Sequence, residues 1–272
     1  MVGSTYGLFI GELVSVSLNY SIPSHLENLS GDENLRRVDL EKLSGELVLA
    51  GSSLEKKKSE GTIWRMGFPG MILDVNHIGQ ARYGELTVDV SPIHPHRADL
   101  AYKGDKSLSR TPVPLTVGAM LLDDEGNEVL AVRGGKVESG KVVSFPGGHV
   151  DFENPRVESP VAGLYREFYE EVGMKFDSSN HKASLIGVMN NSDTKGINVL
   201  YALKTPSSFK EIEDSWRNAG DRFEHDLLFP ATGSDLKNLA KDGKMTRGGR
   251  ELETTPFFKD VFSRYLDFKS LV

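Results

Sequence analysis

Residues 158–174 constrain this chain most, because they carry both the start and stop signals of one helix and an acidic cluster that such a helix would line up. Ser159 suits the N-cap, Pro160 the first helical position and Gly173 the position just past the end. Between them Val161, Leu164, Tyr165, Phe168 and Val172 recur at helical spacing, which predicts a helix over 159–172 with one apolar stripe toward a core. Glu167, Glu170 and Glu171 then stand at i, i+3 and i+4 and leave from one face. Clustered carboxylates repel one another unless a cation lies among them, and Mg²⁺, which takes oxygen ligands, suits such a set. The plainer alternative is a surface helix with a solvated acidic face.

Upstream stands Pro146-Gly147-Gly148. Together the two segments resemble the box of the Nudix family, G-x5-E-x7-R-E-U-x-E-E-x-G-U with U apolar. The second half fits throughout: Glu158, seven residues, Arg166-Glu167-Phe168, then Glu170-Glu171, Gly173 and Met174. The first half departs, since nine residues separate Gly148 from Glu158 where the family pattern has five. Glu153 competes for the first glutamate position by pairing with Gly147, but it leaves too long a gap before Arg166, and loops absorb insertions easily.

The resemblance implies an α/β/α sandwich over about residues 111–272 and hydrolysis of a diphosphate bridge in a nucleoside diphosphate derivative. It places Mg²⁺, or Mn²⁺ as a substitute, on Glu167, Glu170 and Glu171, with the Gly147 carbonyl as a further ligand. Arg166 orients the glutamates through ion pairs. One of these glutamates, or an acidic residue of a downstream loop, serves as general base, and Glu211, Glu213 and Glu224 are the loop candidates. Arg133, Lys136, Lys141 and Glu158 are the candidates for substrate contact. Within the family, the Pro-Gly-Gly-His start at 146–149 and an extra N-terminal region are similar to the UDP-sugar diphosphatase branch. A nucleotide sugar, UDP-sugar or ADP-ribose, therefore leads, ahead of coenzyme A or dinucleotides. A catalytically silent nucleotide sensor of the same fold usually loses part of the glutamate set, which is complete here.

Composition agrees with a cytoplasmic enzyme acting on a small molecule. The 272 residues include no cysteine, which removes disulfides and thiolate chemistry. A formal charge of −7 argues against a broad nucleic-acid footprint, and no apolar run reaches the length of a membrane span. The polar stretch 103–111 reads as a linker, dividing a smaller β-rich N-terminal domain (1–108) from the Nudix-like domain (109–272). Before it, 12–18, 45–49 and 84–90 read as strands, and 25–44 and 52–61 as loops or short helices. After it, strands are expected at 115–122, 128–133, 142–145, 184–189, 198–203 and 226–230, and helices around 234–241 and 256–269. The N-terminal region could cover the site, select the nucleoside or form a homodimer interface.

Smaller signals have plainer readings. Gly135-x4-Gly140-Lys141 nearly spells a phosphate-binding loop, but Val142 replaces the hydroxyl residue and a strand follows, so a hairpin connection is expected. His94 and His96 are interleaved with prolines and read as a surface turn. Lys56-Lys57-Lys58 is a solvated loop, and Trp64 and Phe68 are N-terminal core residues.

Overall fold

In the computed structural model the described residues are 7–8, 15–20, 71–78, 85–93, 113–134, 139–153, 156–191 and 196–271. The expected strand at 45–49, the polar segments 25–44 and 52–61, the linker, Lys56 to Lys58, Trp64, Phe68, His94, His96 and Lys136 lie outside them.

The larger sheet is built around β5 (Leu115–Leu122). Strand β12 (Gly196–Lys204) runs parallel to it, and β11 (Lys182–Asn191) pairs antiparallel with β12. On the other side follow β6 (Glu128–Arg133) and β7 (Lys141–Val143), then the hairpin of β14 (Lys244–Arg247) and β15 (Arg250–Thr254), with β15 parallel to β7. Strand β13 (His225–Ala231) pairs with β6, β8 (Gly147–His149) with β5, and the short β1 (Gly7–Leu8) with β11, placing Gly7 opposite Met189. The sheet is therefore mixed. A continuous apolar run such as Leu115 to Leu122 marks a strand covered on both faces, and its burial pattern shows that it is.

Alternation along β5 divides the core. Leu115, Val117, Ala119 and Leu121 face one cluster, which takes in Leu164, Phe168 and Val172 of the glutamate helix together with Ile212 and Trp216. Met120 faces the other, with Leu236 and Leu239 of α3 (Gly233–Asp242) and Phe257, Val261, Phe262 and Tyr265 of α4 (Pro256–Lys269). The result is helix, sheet, helix. Helix α4 is also tied to β6 by polar groups, since Tyr265 Oη donates to the buried Glu128 carboxylate at 2.9 Å and Lys269 contacts the same oxygen. Among the described residues no helix is long and apolar enough to cross a membrane.

A second sheet of five strands has the order β10–β9–β3–β4–β2. Strands β2 (Ser15–Tyr20), β3 (Met71–Ile78) and β4 (Glu85–Ile93) come from the N-terminal region, and β9 (Asp151–Glu153) and β10 (Arg156–Val157) from the other side of the expected linker. Val75, Leu86, Val88 and Val90 join the cluster that holds Leu164 and Phe168, so the two sheets share one core.

Most expected elements are found within a few residues of their anticipated limits. Three differ. The helix begins at Pro160 with Ser159 capping the Ala162 N–H, but α1 is regular only over Pro160–Glu167 and then widens into an i→i+5 turn over Phe168–Val172, a feature common at functional sites. Gly173 ends it at φ 80° in the left-handed region, as its position required. Glu211 and Glu213, anticipated in a loop, lie on α2 (Phe209–Trp216), whose polar residues outnumber Ile212 and Trp216, the two that are buried. The β14–β15 hairpin also went unread, because its charged residues hide the alternation.

Phe168 is fully buried at the centre of the helix-to-sheet contact. Phe168→Ala is expected to cost about 3–5 kcal/mol of stability, measurable as a lowered midpoint in urea unfolding.

Candidate active site

Arg166, on the last turn of α1, is the hub. Its Nε donates to Glu158 Oε1 at 3.1 Å and its Nη2 to Glu158 Oε2 at 3.1 Å, a two-pronged grip on one carboxylate. Nη1 donates to Glu167 at 2.7 Å and to Glu170 at 3.0 Å, and Nη2 also reaches the His149 carbonyl at 2.7 Å. Asp151 adds a carboxylate oxygen 3.5 Å from Nε. Burial works against the guanidinium charge, but Glu158, Glu167 and Asp151 outweigh it, so its pKa is raised.

Glu158 has both oxygens occupied, Oε2 also accepting the Asp151 N–H at 3.0 Å. It anchors Arg166. Glu158, one of the two glutamates competing for the first glutamate position of the box, meets the arginine.

Gly148 is a close-approach glycine. A side chain there would fall on the Glu167 carboxylate. Its neighbour Gly147 stands opposite Gly118 in the β5–β8 ladder, and the Ala119 N–H donates to the Pro146 carbonyl. That is the pattern of a widely spaced pair, in which Gly147 turns its own N–H and C=O away from β5. The N–H reaches Glu171 Oε2 at 2.9 Å, and the carbonyl lies along the same strand edge.

Glu171 is 2% exposed. Burial pushes its pKa well up, and Glu167 and Glu224 push it the same way against Arg133 and the Gly147 N–H. Glu167 rises from 4.5 to about 7, through burial first and then Glu170 and Asp151, opposed by Arg166. Glu224, at the end of the short turn Arg222–Glu224, is raised by burial and by Asp221 and Glu170, opposed by Arg133. Arg133 Nη2 lies 3.3 Å from Glu224. Next to it His225 packs edge-on against Phe145, with ring centroids 4.9 Å apart, and its buried Nδ1 lacks a partner.

The structure thus brings together Arg166, Glu158, Glu167, Glu170, Glu171, Gly147 and Arg133, and it separates the three loop candidates. Glu224 lies on the turn whose Asp221 N–H donates to the Glu170 carbonyl, whereas Glu211 caps α2 with Ser208 and Glu213 pairs with Arg217. Lys141 pairs with Glu253 at 2.8 Å on the β7–β15 edge. Sequence reasoning left Glu224 unranked and gave Asp151 and His225 no role. Only Asp151, close after the glycines, carried a positional hint.

Among the described residues no three carboxylate or imidazole groups stand at coordinating distance from one another, because Glu167 and Glu170 lean on Arg166. The donor set nevertheless fits a hard divalent cation. It is all oxygen, and burial first, then neighbouring carboxylates, destabilises charge at Glu167, Glu171 and Glu224 at once.

Residues 112–210 match the family model described as NUDIX domain. Similar solved structures include a MutT protein from Methanosarcina mazei Go1, 19% identical, covering 60% of this chain and 98% of its own, with a TM-score of 0.39. A mutT/nudix family protein from Listeria innocua is 19% identical, covering 60% and 97%, with a TM-score of 0.40. The NUDIX domain of Shewanella oneidensis NrtR, complexed with ADP ribose, is 12% identical, covering 62% and 93%, with a TM-score of 0.39. No curated protein matches the chain.

Two outcomes are expected. A carboxylate whose pKa is higher in the folded state binds more protons there, so stability falls as pH rises from 4.5 through about 7 for Glu167, and Glu171 acts in the same direction. His149 and His225, lowered from 6.5 to about 4 and about 3 chiefly by burial, act oppositely below 6.5. Above about 6.5 the carboxylates act alone. The melting temperature of the metal-free protein is therefore expected to drop as pH rises through neutrality, and Mg²⁺ should restore more of it at alkaline than at acid pH. Calorimetric scans at several pH values, with chelator or with Mg²⁺, check this. Separately, Gly148→Ala should displace the Glu167 carboxylate and weaken Mg²⁺ binding by about 10-fold or more, measurable by isothermal titration; unchanged affinity would disprove the close approach.

Proposed function

We propose that this chain is a divalent-metal-dependent pyrophosphohydrolase that cleaves the diphosphate bridge of a nucleoside diphosphate derivative, with a nucleotide sugar of the UDP-sugar or ADP-ribose type as the leading substrate. The Nudix-domain match supports a hydrolase. The observation that carries the reading is the chain of contacts in which Arg166 holds Glu167 and Glu170, Glu171 accepts the Gly147 N–H, and the turn bearing Glu224, with Arg133 on its carboxylate, is tied to Glu170 by the Asp221 N–H.

In this reading Glu167, Glu170 and Glu171, together with the Gly147 carbonyl, hold Mg²⁺, and Mn²⁺ can substitute. The bound ion supplies charge neutralisation for the phosphate oxygens. Glu224 takes the proton from the attacking water. Its pKa is raised by burial, which brings a carboxylate closer to the range in which a base works well near neutral pH. Arg133 is 29% exposed at its side chain and can exchange its contact with Glu224 for one with a phosphate oxygen. That exchange would free the Glu224 carboxylate as substrate arrives. Arg166 stays with its carboxylates and leaves the substrate to others. The substrate is a free small molecule, in keeping with a cytoplasmic enzyme.

A panel of nucleotide sugars, dinucleotides and coenzyme A, assayed for phosphate release with added phosphatase and with or without Mg²⁺, tests the proposal. Mg²⁺-dependent release is expected, strongest with a nucleotide sugar. Glu224→Gln is expected to lower kcat on the order of 10²–10⁴-fold with little change in KM. Glu171→Gln should collapse turnover while leaving the fold intact, and unchanged turnover at saturating Mg²⁺ would remove Glu171 from the assignment.

A further inference from the structure

The extra residues between Gly148 and Glu158 are not a slack loop. They form β9 and β10, and β9 pairs antiparallel with β3 of the N-terminal region, Ile72 opposite Asp151 and Met71 opposite Phe152. Strand β3 is also fastened at the entrance to β5, where the Val75 N–H donates to the Val113 carbonyl at 2.8 Å. The N-terminal sheet is thus hydrogen-bonded to the segment that enters the glutamate site.

Asp151 is the residue where the two meet. Its N–H donates to Glu158 Oε2 at 3.0 Å, and its carbonyl accepts the Glu158 N–H at 3.2 Å, so the two residues clasp each other across the base of the insertion. Its carboxylate, meanwhile, lies 3.5 Å from Arg166 Nε. Arg166 in turn holds Glu167 and Glu170. A continuous path of contacts therefore runs from Ile72 through Asp151 and Arg166 to two of the proposed metal ligands.

Resting on the function proposed above, we infer that Asp151 is a positioning residue for the metal-binding carboxylates, and that the N-terminal strand β3 fixes where Asp151 sits. The physical reason is competition for one guanidinium. With Asp151 and Glu158 holding Arg166 from the insertion side, its pull on Glu167 and Glu170 is moderated. Without the Asp151 charge, Arg166 leans fully on those two carboxylates and withdraws them from the cation. The N-terminal region then belongs to the scaffold of the site.

Asp151→Asn keeps the backbone bonds and the side-chain size while removing the charge. It is expected to weaken Mn²⁺ binding to the full-length chain by about 10-fold in isothermal titration and to raise the Mg²⁺ concentration for half-maximal activity by a similar factor. At saturating Mg²⁺ the substrate KM should be unchanged, and Asp151→Glu should recover much of the affinity. Because the chain has no cysteine, Met71→Cys combined with Phe152→Cys reports the strand pairing cleanly, directly opposed residues being close enough for a disulfide. The bond should form, and the oxidised protein should keep its Mn²⁺ affinity. Unchanged metal affinity in a folded Asp151→Asn protein, or failure of the cysteine pair to cross-link, overturns the inference. Weakened Mn²⁺ binding in a protein that hydrolyses none of the nucleotides would uphold it and refute the hydrolase reading instead.

Discussion

One guanidinium organises this molecule. Arg166 faces Glu167 and Glu170 of its own helix, Glu158 and Asp151 of the insertion, and the His149 carbonyl of β8. An arginine in such a setting cannot be replaced by lysine, whose single ammonium lacks the planar fork that serves several acceptors in fixed directions. The local backbone is shaped around it. Helix α1 presents the arginine and two carboxylates, β8 brings the carbonyl and the close glycine, and the insertion returns Glu158. Taking the hub away would leave several carboxylates facing one another with part of their solvent removed, the costliest kind of defect in a folded protein.

The same region explains what the chain revealed before its structure. The capped helix, its apolar stripe and its glutamates were legible because each rests on short-range rules: Ser159 and Pro160 at the start, Gly173 at the end, Leu164, Phe168 and Val172 between. Most of the strands from Leu115 to Ala231 were legible for a similar reason, since buried strands carry apolar runs; β8, β9 and β10 were the exceptions. The widened turn at Phe168–Val172 was not, because its cause is tertiary. Glu224 could not be ranked against Glu211 and Glu213 either. Burial and the nearness of Arg133 distinguish it, and Arg133 is ninety-one positions away, the difference of 224 and 133.

The N-terminal region was legible only in part. Strands β2 and β4 fall where alternation put them, but nothing in the local pattern of 151–157 announces that it will add strands to an N-terminal sheet. Such pairing is set by the edge on offer and by the core beneath it. Val75, Leu86, Val88 and Val90 complete the layer over Leu164 and Phe168, so the sheet that borders the glutamates also shields the apolar side of the helix carrying them.

The short strand β1 has a different significance. It pairs with β11, Gly7 meeting Met189, so roughly 180 residues must be translated after it before its partner exists. At about 5–20 residues per second, a ribosome takes on the order of ten to forty seconds over that stretch. Until then the backbone groups of β1 are unpaired, and the β11 edge closes late in biosynthesis. Docking of this strand must therefore wait for β11, while β12, β13 and helices α3 and α4 are made later still.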